Sequence, residues 1–360
     1  VSKAAKDWIR AEILASRAYH VAPSAGLVKL DAMENPYRLP GELADAMGAR
    51  LARVAINRYP DPAYGMLKQR LREALRIPAG LALVVGNGSD EVIQMLTVAL
   101  ARPGATVLAP EPSFVMYRVN AVAAGLRHVG VSLNGDFTLD TARFIAAIEE
   151  HRPALTWLAY PNNPTGNLFP REAILRVVAA SPGLVAVDEA YFPFSGGATL
   201  MDEVGRHPNL VLVRTVSKLG LAGLRLGFAA GPADWMAELE KVRPPYNVNV
   251  LTAAAAEFLL EHATVFEEQA GRIVAERARL EKGLDSLGIQ RFTSAANFVL
   301  ARVANAPAAF DALKSRGILV KSLHESHPLL AHCLRLTVGT PDENAKLLEA
   351  LASILGPPHA

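Results

Sequence analysis

The chain has 360 residues, 51% apolar and 20% charged, with 26 glycines and 24 prolines spread along it, a globular composition that excludes the disordered, collagen-like and low-complexity classes. At about 150 residues per domain this length predicts two units. Lys and Arg number 37 against 35 Asp and Glu, so bulk charge gives no reason to expect nucleic acid or an anionic membrane as partner.

The single cysteine, Cys333, excludes an intrachain disulfide and fits a reducing compartment. Lys3, Lys6, Asp7, Arg10 and Glu12 interrupt the apolar residues near the amino end, unlike the core of a signal peptide. No run of about 18 uncharged apolar residues follows. The expectation is a cytoplasmic protein without a membrane span.

Residues 1–40 predict a helix and an extended arm. Short β-branched runs then recur at 81–85, 106–109, 127–131, 155–160, 184–188, 210–214 and 225–229, most separated by helical patterns. That alternation predicts an α/β unit with a mostly parallel central sheet between helices. After the loop 243–247 comes a long Ala, Leu and Glu-rich helical stretch over about 250–287. From Asn297 onward, strands at 297–301, 319–321 and 334–338 alternate with helices at 307–316 and 341–354, predicting a smaller α+β unit. The expected division is an arm at 1–40, a large unit at 41–260 and a small unit at 261–360, with the arm packing on one or both.

Three segments carry the chemistry. In Gly86-Asn87-Gly88-Ser89-Asp90-Glu91 a strand enters a glycine turn where a helix begins. Glycine permits close backbone approach, Ser89 or Asp90 can cap the helix, and its open N–H groups favour a phosphate. Asp188 ends a wholly apolar strand, where open α/β sheets carry their ligands, and a buried acid there needs a cationic or proton-donating partner. Lys218 follows the next strand in Thr215-Val216-Ser217-Lys218, with Arg225 seven residues on. A lysine so placed becomes a nucleophile toward a carbonyl if its ammonium is desolvated or lies near other cations.

One ligand has a phosphate, a protonated ring nitrogen and an aldehyde for these segments: pyridoxal phosphate. Its ring would stack on Phe114, and its phenolic oxygen would meet Asn163 and Tyr191. His324, His327, His332 and Cys333 lack a regular ligand spacing, so no metal site is expected and Cys333 reads as a buried thiol.

The ordered set Asp31-Ala32-Met33-Glu34-Asn35-Pro36, Arg58-Tyr59-Pro60-Asp61, Tyr64-Gly65, Gly86 to Glu91, Tyr160-Pro161-Asn162-Asn163-Pro164-Thr165-Gly166, Asp188-Glu189-Ala190-Tyr191, Ser217-Lys218, Gly223-Leu224-Arg225 and Leu334 to Thr340 spans nearly the whole chain. With these motifs the sequence resembles the fold-type I pyridoxal-phosphate aminotransferases, and within them the histidinol-phosphate aminotransferases. The resemblance implies a pyridoxal 5'-phosphate enzyme in which Lys218 bonds the cofactor and then shuttles a proton. Asp188 would keep the ring nitrogen protonated, Asn163 and Tyr191 would hold the phenolic oxygen, and Phe114 would stack on the ring. Gly88, Ser89, Asp90, Thr215, Ser217 and Arg225 would hold the phosphate. Tyr64 resembles the family tyrosine that reaches the cofactor of the neighbouring subunit, which implies a homodimer with shared active sites.

The resemblance further implies that Arg335 binds the substrate anion, the carboxylate of glutamate or the phosphate of histidinol phosphate, with Tyr19, Asn35, Asn163 and Lys321 helping to read the substrate. Two positions depart from the family pattern. Lys321 stands where many relatives carry arginine and cannot make the same bidentate contact, and Phe114 stands where tyrosine is frequent. The implied activity is amino transfer between glutamate and imidazole acetol phosphate in histidine biosynthesis. Aromatic or broad-range aminotransferases and threonine-phosphate decarboxylases share such a cofactor site. A non-catalytic pyridoxal-phosphate-binding regulator is the alternative of a different class; its usual DNA-binding segment would not fit in the roughly 30 residues before the substrate-arm motif.

Overall fold

The computed structural model describes residues 3–18 and 21–355. Among the described residues the strands run in chain order as β1 (Val28–Leu30), β2 (Ala82–Asn87), β3 (Thr106–Glu111), β4 (Arg127–Ser132), β5 (Leu155–Ala159), β6 (Leu184–Asp188), β7 (Leu210–Thr215), β8 (Leu226–Gly231), β9 (Gln290–Arg291), β10 (Phe298–Arg302), β11 (Ile318–Ser322) and β12 (Cys333–Thr337). Strands β2 to β8 form one sheet in the order β2-β8-β7-β6-β5-β3-β4. It is parallel except for β8, which runs against both neighbours, β2 and β7.

The inner strands read as unbroken apolar runs because both faces of the sheet are covered. Leu184 and Ala186 of β6 enter one core with Val107 and Trp157, while Val185 and Val187 enter the opposite core with Leu158 and Leu212. This period of two continues past the end of β6. The adjacent acids Asp188 and Glu189 are therefore sent to opposite faces.

The second sheet has the order β1-β11-β12-β10-β9. Its first strand comes from the amino-terminal arm, and Val28 pairs in parallel with Ile318. The arm is thus part of the small sheet as well as packing beside it, a role that three residues are too short to announce by pattern. The helical stretch expected over 250–287 is two helices, Val250–Leu260 and Ala263–Ser286. The break at Glu261-His262 has neither proline nor glycine nearby to signal it. Along the second helix Phe266, Ala270, Ile273, Leu280 and Leu284 form a buried stripe at helical spacing. None of the described helices is long and apolar enough to cross a membrane.

Candidate active site at the carboxyl ends of the large sheet

Strands β5, β6 and β7 end at Ala159, Asp188 and Thr215, and these residues wall a cavity of about 240 Å³. Ser89, Asp90, Phe114, Asn163, Tyr191, Ser217, Lys218 and Arg225 share this wall, so ten of the sequence-derived site residues meet in one place. Lys218 lies in the short 3-10 turn Ser217–Leu219 just after β7. Burial, with Arg335 and Arg225 nearby, lowers its ammonium from 10.5 to about 8. Its Nζ donates to the Ala32 carbonyl at 3.3 Å and stands 5.8 Å from the centre of the Tyr191 ring. The amine is partly neutral near pH 8 and can act as a nucleophile or take a proton.

Asp188 is 4% exposed. Its Oδ1 accepts from the Ala190 amide at 3.0 Å and its Oδ2 from the Tyr117 hydroxyl at 2.9 Å. Burial pushes it up to about 6, while these two donors pull the other way. Glu189 contrasts with it. Arg214 Nε and Nη2 grip its Oε2 at 2.9 and 2.7 Å, and Thr199 and the Leu200 amide donate as well.

The helix Ser89–Ala99 begins at the cavity, with Gly88 as its cap. No side chain caps it, contrary to the expectation for Ser89 or Asp90, because those residues are the first two of the helix itself. Its leading amides thus remain available to an anion. Gly88 has φ +82°, and a Cβ there would lie 2.6 Å from Arg225 Nη2. A Cβ on Gly227 would lie 2.4 Å from the Ser89 nitrogen. The glycines seat the turn against β8 and Arg225, a packing reason beyond ligand approach. Arg225 pairs with Asp90 at 3.3 Å, both about half exposed, a weak contact that an incoming anion can replace. Thr215 Oγ1 and Ser217 Oγ lie 2.9 Å apart and complete the cradle.

A second cavity of about 340 Å³ shares Met33, Phe114 and Asn163 with the first. Lys321 and Arg335 line it, and they are direct cross-strand partners in the β11–β12 pairing. Like charges in that position repel, so the pair favours an anion between them. Arg335, on β12, donates to Asn163 Oδ1 at 2.7 Å and to the Asp31 carbonyl at 2.9 Å. Asn163 in turn donates to the Tyr191 hydroxyl at 3.1 Å. One polar chain therefore joins the arm, the small sheet and the large sheet.

Two expected residues are placed elsewhere. Tyr64 is 2% exposed and its hydroxyl bonds the carbonyl and amide of Val248 in its own chain, both at 3.1 Å. Its ring packs in the core of its own chain; the exposed tyrosine of that segment is Tyr59, stacked on Tyr246 at 4.3 Å. Asn35 ties the arm to the Leu219 carbonyl and Gln269 at 3.0 and 2.9 Å and lines neither cavity. Tyr19 lies outside the described residues. Near β12, His324 Nδ1 and His327 Nδ1 accept from the His332 and Leu329 amides, and Cys333 is buried.

Sequence reasoning missed Tyr117 as a partner of Asp188. Its only signal was its place one helical turn after Phe114, which reads as core. It also missed the arm carbonyls of Asp31 and Ala32, because backbone acceptors leave no trace in residue type.

The aminotransferase class I and II family model matches residues 25–351. The histidinol-phosphate aminotransferase of Chromobacterium violaceum is 56% identical over 344 residues, covering 95% of this chain and 96% of that one. Histidinol-phosphate aminotransferase 2 of Cupriavidus pinatubonensis is 54% identical over 353 residues, 96% of each chain. The solved structure of Sinorhizobium meliloti histidinol-phosphate aminotransferase in complex with pyridoxal-5'-phosphate superposes with a TM-score of 0.86 over 97% of each chain; at 24% identity this is a likeness of fold.

Proposed function

The chain belongs to the class I and II aminotransferase family, and on that premise we propose that it moves an amino group between glutamate and imidazole acetol phosphate, the histidinol-phosphate aminotransferase reaction of histidine biosynthesis. It is a pyridoxal 5'-phosphate enzyme. The observation that carries this reading is the single cavity holding a buried acid, a half-buried lysine amine and an anion cradle.

The residues fit the cofactor group by group. Asp188 would face the ring nitrogen, Lys218 the aldehyde, Phe114 the ring face, and Asn163 with Tyr191 the phenolic oxygen. Ser89, Asp90, Thr215, Ser217, Arg225 and the turn at Gly88 would hold the phosphate. When bound, the cofactor supplies an electrophilic carbonyl and a protonated ring that draws electrons from the substrate carbon. Asp188 holds the proton at the ring nitrogen, where its buried carboxylate gains the cation it otherwise lacks. Lys218 Nζ, lowered to about 8 by burial, takes and returns the proton at the substrate carbon. Arg335 and Lys321 bind the substrate anion, a carboxylate in one half-reaction and a phosphate in the other. Two substrates using one anion site in turn require ping-pong order.

The unit boundaries at 40 and 260 are part of this reading, as are a cytoplasmic location and a homodimer. Exposed Ile56, Tyr59, Met66 and Leu251 support the dimer by offering an apolar surface to a second copy.

The test is the near-ultraviolet and visible spectrum of the protein with pyridoxal phosphate, titrated separately with glutamate and histidinol phosphate. Both should discharge the visible cofactor band. If glutamate does so and histidinol phosphate does not, the aminotransferase chemistry stands and the substrate assignment falls.

A further inference from the structure

We propose that Tyr117 is a positioning residue for the cofactor ring, its hydroxyl fixing Asp188 in the orientation and charge state that hold the ring nitrogen's proton. The inference rests on the cofactor reading above. Tyr117 is 1% exposed, near the start of the helix Met116–Ala123, and its hydroxyl donates to Asp188 Oδ2 at 2.9 Å.

The phenol ring is held in two directions. It stacks on Trp157 at 4.6 Å with 3° between the planes, and meets Phe114 edge to face at 5.6 Å and 86°. Trp157 lies on β5 opposite Ala186, two residues before Asp188. The same tyrosine thus touches the residue that would stack on the cofactor ring and the acid that would bind its nitrogen.

Packing alone does not require the oxygen, since phenylalanine would fill the same space. A buried hydroxyl must find a partner, and this one meets an acid whose other hydrogen bond comes from a backbone amide. A donor to the carboxylate stabilises its ionised form, which favours the proton on the ring nitrogen over the acid. Asp90 and Glu189 act against ionisation and Tyr117 acts for it. Removing the hydroxyl would therefore let the proton move toward Asp188 and free the carboxylate to turn.

The test is Tyr117→Phe in the holoenzyme, read by the nitrogen-15 resonance of ring-labelled pyridoxal phosphate, by cofactor affinity and by steady-state kinetics. We expect the resonance to move toward the unprotonated position and the cofactor dissociation constant to rise about tenfold, the effect of one hydrogen bond to a charged group. Turnover should fall by a similar factor while KM for both substrates stays nearly constant. An unchanged resonance, with or without lost thermal stability, would reduce Tyr117 to a packing residue and overturn the inference. If the variant does not accumulate, 3-fluorotyrosine at this position tests the opposite direction. Its more acidic hydroxyl should move the resonance further toward the protonated position, and no movement overturns the inference. Failure of the parent protein to bind the labelled cofactor would instead sink the cofactor reading itself.

Discussion

Asp188 and Glu189 are neighbours in sequence, both acidic and both buried, yet they are held in opposite ways. Glu189 is enclosed by Arg214, Thr199 and the Leu200 amide; Asp188 receives one hydroxyl and one amide. The guanidinium that completes Glu189 is itself only 4% exposed and lies 3.9 Å from the centre of the Phe192 ring. The lesson is that burial does not separate a structural acid from a functional one. The discriminating feature is whether the fold supplies a permanent cation, and among the described residues none pairs with Asp188.

This contrast breaks first by exchanging each acid for its amide. Asp188→Asn should reduce turnover by about 10³-fold or more, the scale of losing a preorganised electrostatic contact, while the cofactor-free protein loses no stability in a denaturant titration. Glu189→Gln should do the reverse. It leaves Arg214 buried without its anion and should cost about 3–5 kcal/mol of stability, with turnover of the protein that remains folded changed at most a few-fold.

A pH series sharpens the same comparison. Burial places Asp188 at about 6 in the folded chain, against about 3.9 for an exposed aspartate. A raised value means that the folded state holds the proton more tightly, so this contribution to stability is present near pH 4 and lost as pH rises through 6. The stability of cofactor-free Asp188→Asn relative to the parent should therefore grow from pH 4 to pH 7, by up to about 3 kcal/mol, measured by urea midpoints. The smallest effect belongs to Thr199→Val, which strips one hydroxyl from Glu189 and Arg214. It should cost about 1 kcal/mol without altering cofactor binding.

Most of the large sheet was legible because a parallel sheet covered on both faces writes itself as apolar runs, and β6 spans the same five residues in sequence and structure. The cofactor-side residues were legible because their side chains carry the chemistry: acid, amine, hydroxyl and guanidinium. Tyr117 was not, since an aromatic residue near the start of a helix looks the same whether its hydroxyl meets an acid or a carbonyl. Tyr64 illustrates a converse limit. Its motif was visible, but its left-handed backbone at φ 51° and the burial of its ring were not. Lys321 and Arg335 were each visible alone, but their cross-strand register depends on pairing between distant segments.

The pairing of Val28 with Ile318 joins residues 290 positions apart. A ribosome adding about 5–20 residues per second needs roughly a quarter of a minute to a minute to traverse that interval. The large sheet, from Ala82 to Gly231, leaves the ribosome well before the partner of β1 exists. The Asp31 carbonyl meets Arg335 only after that return. Biogenesis therefore has an inherent order: the carboxyl-end wall of the large sheet can assemble on a growing chain, whereas the cavity that Lys321 and Arg335 line is finished only after β12 has emerged and the amino-terminal arm has been recaptured.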